Sequence, residues 1–404
     1  MKIKSSLMFT AASVALFGSA MADTTTYVNI AGSTAGRSTI HAELTSASGP
    51  LAVNFNNNTA VPFAYFTTSG SAQSDKAKGD SYIYVASTGT SPTKNTVIVR
   101  CWWQGSASGV NLVSNAVQLD GKLLSTSTGV TTAGVQVFPV GYPNQTGATC
   151  DAASVNTQVH FGFSDVKQAA TPYQTNKVTE KDIYVLPFEW VKTGVAALSG
   201  VSNITSQQAR VHLTGGGMTD LSLFTGSAGD AGTTVYAVGR DDDSGTRITT
   251  LAETGAGVFA TLEQYKFTYT SGTNTISAPT DVFNGGYASG GDLAKVLGAT
   301  GDNAIGYVGI SDGITATTSP KIGVALKYNG VPFSVDNVKN GSYTFWSKYQ
   351  MIYKTAPPVG AIKTLFDSLQ ATLIALPTAG NGSSIKLTEM AVDRQADGGD
   401  VSLK

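Results

Sequence analysis

Hydrophobic positions fall into short runs divided by Gly, Ser, Thr and Asn, and the period of those runs changes along the chain. A short apolar run, Tyr27 to Ile30, leads into the small-residue loop Gly32-Ser33-Thr34-Ala35-Gly36, and Thr39 to Leu44 reads as the first helical turns beyond it. Ser81-Tyr82-Ile83-Tyr84-Val85 and Thr96-Val97-Ile98-Val99 are β-branched and aromatic and bounded by turn residues, which predicts strands. Residues 50–104 therefore read as strands and hairpins, and the Gly/Thr/Ser-rich stretch 110–160 as more hairpin. The middle of the chain differs. Ile183 to Phe188 is apolar but interrupted by Pro187, while Val235 to Val238 and Ala304 to Ile310 are continuous, as buried parallel strands should be. Thr205-Ser206-Gln207-Gln208 fits a capping box, with Thr205 as N-cap, opening a helix to about His212 that Gly215-Gly216-Gly217 stops. Ile362, Leu365, Phe366, Leu369, Leu373 and Leu376 follow the helical period, with Pro377 just past the end. Alternating strands and helices predict an α/β sheet, with the β-rich stretch at 50–160 as decoration on it.

Composition narrows the class. Of 404 residues, 13% are charged, about half the usual share, and Gly reaches 45. A polar, weakly charged surface of this kind suits an exported β-rich protein. The N-terminus agrees: Lys2 and Lys4 are basic, Leu7 to Phe17 is apolar but too short to span a bilayer, and Ala20-Met21-Ala22 gives the small-x-small cleavage pattern. Residues 1–22 are read as a secretory signal peptide, and no later run reaches membrane length, so the mature chain is expected not to span a membrane. Its removal takes the formal charge from −1 to −3, which excludes a nucleic-acid binder that works by phosphate neutralisation. Three His and two Cys leave no room for a His-rich or Cys-rich metal site, and no cofactor is expected. In an oxidising compartment Cys101 and Cys150 are expected to form a disulfide; two separate buried thiols are the alternative.

The candidate chemistry lies in Gly239-Arg240-Asp241-Asp242-Asp243-Ser244-Gly245-Thr246-Arg247, directly after the predicted strand at 235–238. A small-residue loop between a buried strand and a helix presents free backbone N–H groups at a helix N-terminus, which binds anions. Ser244 and Thr246 add hydroxyl donors, Gly245 allows close approach, and Arg240 supplies a planar fork for a tetrahedral oxyanion. An acidic surface turn with Arg240 paired to Asp242 is the competing account of the same residues.

Further stretches resemble the periplasmic phosphate-binding proteins of ABC transporters. The family's loop Arg-x-Asp-Gly-Ser-Gly-Thr is matched by Arg240 to Thr246, departing at Asp243, where Gly is usual. Gly32-Ser33-Thr34-Ala35 stands in place of its first loop, Gln104-Gly105-Ser106-Ala107-Ser108-Gly109-Val110 looks like a shortened second loop, and Phe161-Gly162-Phe163-Ser164-Asp165 is similar to its Phe-Gly-x-Ser-Asp. Ala304-Ile305-Gly306-Tyr307-Val308 and Val338 to Tyr343 resemble later segments in family order. The resemblance implies a two-lobe α/β periplasmic-binding-protein fold of type II. The first lobe would comprise 23–190 plus 320–404, with β-rich insertions at about 50–100 and 111–158, and the second 191–319. It implies a ligand site of Thr34, the Ala35 amide, one or both of Ser106 and Ser108, and Asp165 from the first lobe, facing Arg240, Ser244, Gly245 and Thr246 from the second. Ser33 is an additional candidate because the first loop could shift by one.

An ionised Asp165 accepts hydrogen bonds but cannot donate, so it would favour protonated phosphate over sulfate. A helix N-cap is the plainer role for Asp165. Arg37 and Arg247 each follow a proposed loop; surface ion pairs are their expected role, and an inward orientation would imply a more anionic ligand, such as a phosphate ester. Trp102 and Trp103 are assigned to core and hairpin. The expected function is secreted solute binding of phosphate or a similar oxyanion, delivered as a monomer to an ABC transporter permease. A cell-surface or matrix protein retaining the fold without transport is the alternative. A hydrolase is disfavoured, since no Gly-x-Ser-x-Gly elbow accompanies the three His.

Overall fold

The computed structural model describes residues 22–66, 80–119, 123, 130–132, 135–137 and 157–404. Nearly all of the leader, Cys150 and most of the 111–158 stretch lie outside them.

In chain order, β1 (Thr24–Gly32) passes through one 3-10 turn at Thr34–Gly36 into α1 (Arg37–Thr45) and α2 (Pro50–Phe55). Strands β2 (Phe63–Phe66), β3 (Asp80–Thr88) and β4 (Asn95–Trp103) follow, then α3 (Ser106–Ser114) and a small hairpin of β5 (Val130–Thr132) and β6 (Val135–Val137). β7 (Phe161–Ser164) precedes the long β8 (Val178–Lys192). Next come β9 (Asn203–Ile204), α4 (Ser206–Thr214), β10 (Met218–Asp220), α5 (Ser222–Thr225), β11 (Thr234–Val238) and α6 (Gly245–Glu253). A hairpin of β12 (Gln264–Thr270) and β13 (Thr275–Phe283) leads to α7 (Gly290–Leu297), β14 (Ala304–Gly309), α8 (Ile310–Thr317) and β15 (Val324–Ala325). The chain returns through β16 (Lys327–Tyr328), α9 (Val335–Lys339), β17 (Trp346–Lys354), α10 (Gly360–Ala375) and β18 (Ile385–Lys386).

The fold is α/β with two lobes, as expected, and β8 joins them. Its residues Val178–Pro187 pair antiparallel with β17, whereas Phe188–Lys192 pair with β14. Pro187 sits at the change of partner, where a residue without an N–H costs the ladder least. On one side the strand order runs β17-β7-β1-β4-β3-β2, and on the other β14-β11-β10. β1 lies parallel between β4 and β7, and β11 lies parallel to β14. With neighbours on both edges, β1 is buried over its last five residues and β14 over its first five, and the uninterrupted apolar runs follow from that.

Two details depart from the expectations. The 50–100 stretch is strand-rich, but it opens with a helix, α2, and its last strand is not decoration: β4 matches β1 in parallel from Asn95 to Trp103, so it belongs to the core sheet. Only β2 and β3 extend that sheet, antiparallel, at its edge. Second, Cys101 is a fully buried free thiol, placed in the sheet between Ile30 and Tyr82, so the expected disulfide is not made at it. Burial pushes that thiol well above its ordinary range, which makes it inert. The capping box is present in full, with Thr205 accepting from the Gln208 amide and Gln208 reaching back to the Thr205 amide. α10 buries Leu365, Phe366, Leu369 and Leu373 against the first-lobe core, each worth about 1.5–3 kcal/mol. Among the described residues, no helix is long and apolar enough to cross a membrane.

Candidate functional site

Parallel strands deliver their carboxyl ends to one edge of a sheet, and ligands of open α/β folds bind outside those ends. Here β1, β4, β7, β11 and β14 all end at one cavity of about 290 Å³ between the lobes. Five helices begin at it. The 3-10 turn leading into α1, and the first residues of α3, α6, α7 and α8, all contribute to its wall. Each helix start carries unpaired N–H groups and about half a positive charge, so the cavity is suited to an anion before any side chain is counted.

In the first lobe, Gly32 adopts φ +135°, a conformation that L side chains rarely take, and this turns the chain sharply after β1. The Ser33 amide donates to the Phe163 carbonyl at 2.9 Å, tying the first loop to β7. The Ser33 hydroxyl accepts from the Ala35 amide at 3.2 Å and hydrogen-bonds the Asp165 carboxyl. Thr34 and Ala35 complete this wall. Ser106, the first residue of α3 and fully buried, donates its hydroxyl to Asp165 Oδ1 and accepts from the Asp165 amide at 3.0 Å. Asp165 is 1% exposed; burial pushes its carboxyl up to about 6, against the pull of its own amide, the Arg240 guanidinium and Ser33. It is not an N-cap but a buried carboxylate in the cavity wall. Beneath it, Phe163, Tyr349 and Tyr184 stack at centroid distances of 5.6 and 5.0 Å, a stiff aromatic floor.

In the second lobe, Arg240 follows β11 after a single residue, Gly239. Its Nε donates to the Tyr287 carbonyl at 3.0 Å and Nη2 to the Ala288 carbonyl at 2.9 Å, which fixes the plane of the guanidinium. Nη1 has no acceptor among the described residues. Ser244 caps α6 by accepting from the Arg247 amide at 3.4 Å. A capping hydroxyl uses a lone pair, so its proton stays available to a ligand. Gly245 lies so close to the opposite lobe that a Cβ there would collide with Asp165 Oδ1 and come within 2.6 Å of Ser106 Oγ. Thr246 completes this wall.

The structure thus brings Ser33, Thr34, Ala35, Ser106, Asp165, Arg240, Ser244, Gly245 and Thr246 to one cavity. Ser108 is not in its lining; its hydroxyl donates to Gln104 Oε1 at 3.1 Å. The acidic run after Arg240 is put to use rather than left to repel an anion. The Asp243 carboxylate accepts from Gln104 Nε2 at 2.7 Å, and its carbonyl accepts the Ala107 amide at 3.1 Å, so it latches the lobes together. Arg247 makes neither a surface ion pair nor a cavity contact: it is 3% exposed and clamps Asn284 through the carbonyl, at 2.7 Å, and the side chain. Arg37 is ion-paired with Asp80, and both line the cavity. Trp103 belongs to the core, 1% exposed, but also forms part of the wall, and its Nε1 has no acceptor among the described residues.

Sequence reasoning missed two pieces of wall. One is Ala288-Ser289-Gly290-Gly291-Asp292, in which Ser289 caps α7 by accepting from the Asp292 amide at 3.1 Å. Its Ser-x-x-Asp pattern before an apolar helix was the available signal. The other is Asp312, in the first turn of α8. Burial pushes its carboxyl up, Arg240 and Arg37 pull it back, and Asp292 adds to the push. Nothing local in the sequence marks it.

No family model matches the chain, and no curated protein matches it. Solved structures do. A protein from Clostridium perfringens, assigned as a phosphate ABC transporter substrate-binding protein and solved with bound phosphate, is 17% identical; the match covers 90% of this chain and 100% of that one, with a TM-score of 0.46. An ABC-type phosphate transport receptor from Vibrio cholerae is 12% identical over 89% of this chain and 99% of that one, with a TM-score of 0.42. A phosphate-binding protein from Stenotrophomonas maltophilia is 14% identical over 90% and 91%, with a TM-score of 0.40.

Proposed function

We propose that the protein captures inorganic phosphate, or a similar tetrahedral oxyanion, in the interlobe cavity and releases it unchanged. The observation that carries this reading is that Asp165 and Arg240 line one cavity at which five helices begin. Helix starts and Arg240 supply attraction. The Asp165 carboxylate supplies selection. It already accepts the Ser33 and Ser106 hydroxyls, and a carboxylate has about four acceptor positions, so room remains for a P–OH donor. Sulfate at neutral pH has no such proton and meets the carboxylate as bare oxygen. The Gln104–Asp243 and Ala107–Asp243 hydrogen bonds support capture by closure, because they join the lobes beside the cavity. In this reading the lobes are 23–190 plus 320–404 and 191–319, and the chain is exported, acts as a monomer and hands its ligand to an ABC-type permease.

The test is a melting scan of the ligand-free protein with phosphate, arsenate and sulfate. A ligand at ~100 times its dissociation constant adds about 2.7 kcal/mol of apparent stability. Phosphate and arsenate should raise the midpoint and sulfate should not. No response to any tetrahedral oxyanion would overturn the reading.

A further inference from the structure

Inorganic phosphate has five heavy atoms, and the cavity is larger than it needs. At about 30 Å³ per water, 290 Å³ holds on the order of ten waters. The walls also change character across that space. Around Asp165 they are hydroxyls, helix starts and Arg240. The lining also holds Asp312, the Arg37–Asp80 ion pair, and Ser383 and Ser384 from the loop before β18. A Cβ on Gly290 would meet both Asp312 Oδ2 and Arg240 Nη1, whereas one on Gly245 would meet Asp165 Oδ1. The cavity therefore holds a second buried carboxylate, Asp312, close to the Arg240 guanidinium and on a different wall from Asp165.

The subsite around Asp312 is unsuited to another phosphate. Its cation Arg37 is committed to Asp80, and its acid Asp292 is paired with Lys295, outside the lining, at 2.7 Å. Asp312 makes no hydrogen bond to protein among the described residues. A carboxylate only accepts, so what satisfies it must donate. Ser383 and Ser384 can donate or accept, as a polyol requires. Resting on the oxyanion reading above, we propose that the ligand is a phosphomonoester with a hydroxylated tail: the phosphate sits at Asp165 and Arg240, and a tail hydroxyl donates to Asp312.

The experiment is calorimetry on the full mature chain with three probes: inorganic phosphate, ethyl phosphate and glycerol 3-phosphate. Ethyl phosphate fills the tail space without a donor. A hydrogen bond to a charged group predicts glycerol 3-phosphate binding about tenfold or more tighter than ethyl phosphate. Asp312→Ala should bring that ratio close to one, and Asp312→Asn, which keeps the shape and one acceptor, should reduce it less. Because the ratio is taken within each variant, a general loss of stability cancels from it. If ethyl phosphate and glycerol 3-phosphate bind equally, or both bind more weakly than phosphate, the ester proposal fails and the oxyanion reading stands. A ratio that persists in Asp312→Ala overturns the assignment to Asp312. No binding of any probe overturns both.

Discussion

Replacing Asp165 by Asn removes a buried charge while keeping the shape, and the structure gives the size and sign of the effect. Burial holds the folded carboxyl at about 6, against an ordinary value of 3.8. A raised folded pKa means the folded state holds its proton longer than the unfolded chain does. The stability this gives is complete below pH ~4 and is lost as pH rises through about 6. A shift of about two units, at 1.36 kcal/mol each, makes the ionised group cost roughly 3 kcal/mol at pH 7.5. Asp165→Asn escapes that cost but weakens the hydrogen bonds from Ser33 and Ser106, which become bonds to a neutral acceptor, so the net gain should be about 1–3 kcal/mol. It also relieves Asp397, which burial and the Asp165 charge hold up at about 6. Ligand-free unfolding of both proteins at pH 4 and pH 7.5 tests this: the variant should be the more stable at pH 7.5 and nearly equal at pH 4. In parallel, its preference for phosphate over sulfate at pH 7.5 should collapse. A stability difference that is the same at both pH values, or selectivity that survives, would refute the reasoning.

Gly245→Ala should weaken phosphate binding at least tenfold by calorimetry, because its Cβ would meet Asp165 Oδ1 and Ser106 Oγ when the lobes close; small-angle scattering should show the ligand-bound variant remaining open. Arg240→Ala removes the cation and leaves the Ala288 carbonyl without its partner, and binding should fall by about 2–5 kcal/mol, read by titration at two salt concentrations. Arg394→Ala breaks a buried pair with Glu253, a bond to the Thr344 carbonyl and a stack 4.1 Å over Trp346, so thermal unfolding should show a loss of about 3–5 kcal/mol with phosphate affinity little changed. Lowering the pH from 7.5 to 5 should raise sulfate binding to the native protein relative to phosphate, as Asp165 takes up its proton and becomes a donor.

What the sequence made legible was local. The Thr205–Gln208 capping box needs three residues, and the face of α10 needs one helical period, so both are written within a short window. The anion loops are similar, since a strand end, small residues and a helix start are contiguous in the chain. What could not be read depends on pairing across long separations. β4 looks like its neighbour β3, and only its parallel register with β1, some 70 residues away, makes it core. Arg247 looks like a charge beside the site until Asn284 arrives to hold it. Asp243 looks like a defect in an anion loop because its partner, Gln104, belongs to the other lobe. Asp312 is a lone acid in the first turn of α8, where Asp is favoured for helix reasons alone, so no local pattern separates cap chemistry from ligand chemistry.

The charges around the cavity define the kind of anion it should hold. Arg37 and Arg240 are the cations in its lining, against Asp80, Asp165, Asp241, Asp292 and Asp312. Even with Asp80 neutralised by Arg37, Asp292 by Lys295 and Asp241 left out of the count, Asp165 and Asp312 outnumber the remaining cation. Formal charge would therefore repel a bare dianion. Attraction must come largely from five helix starts, each worth about half a charge and acting at short range through N–H groups. Such donors recognise oxygen atoms without asking whether those oxygens carry protons. The carboxylates do ask, because each can be satisfied only by a donor. A site that attracts through amides and selects through carboxylates gives up some raw affinity for anions in general and turns the protons of the ligand into its identity. On this account Asp165 is the part of the site that reads the oxyanion, and removing its charge should broaden the range of anions bound more than it weakens phosphate.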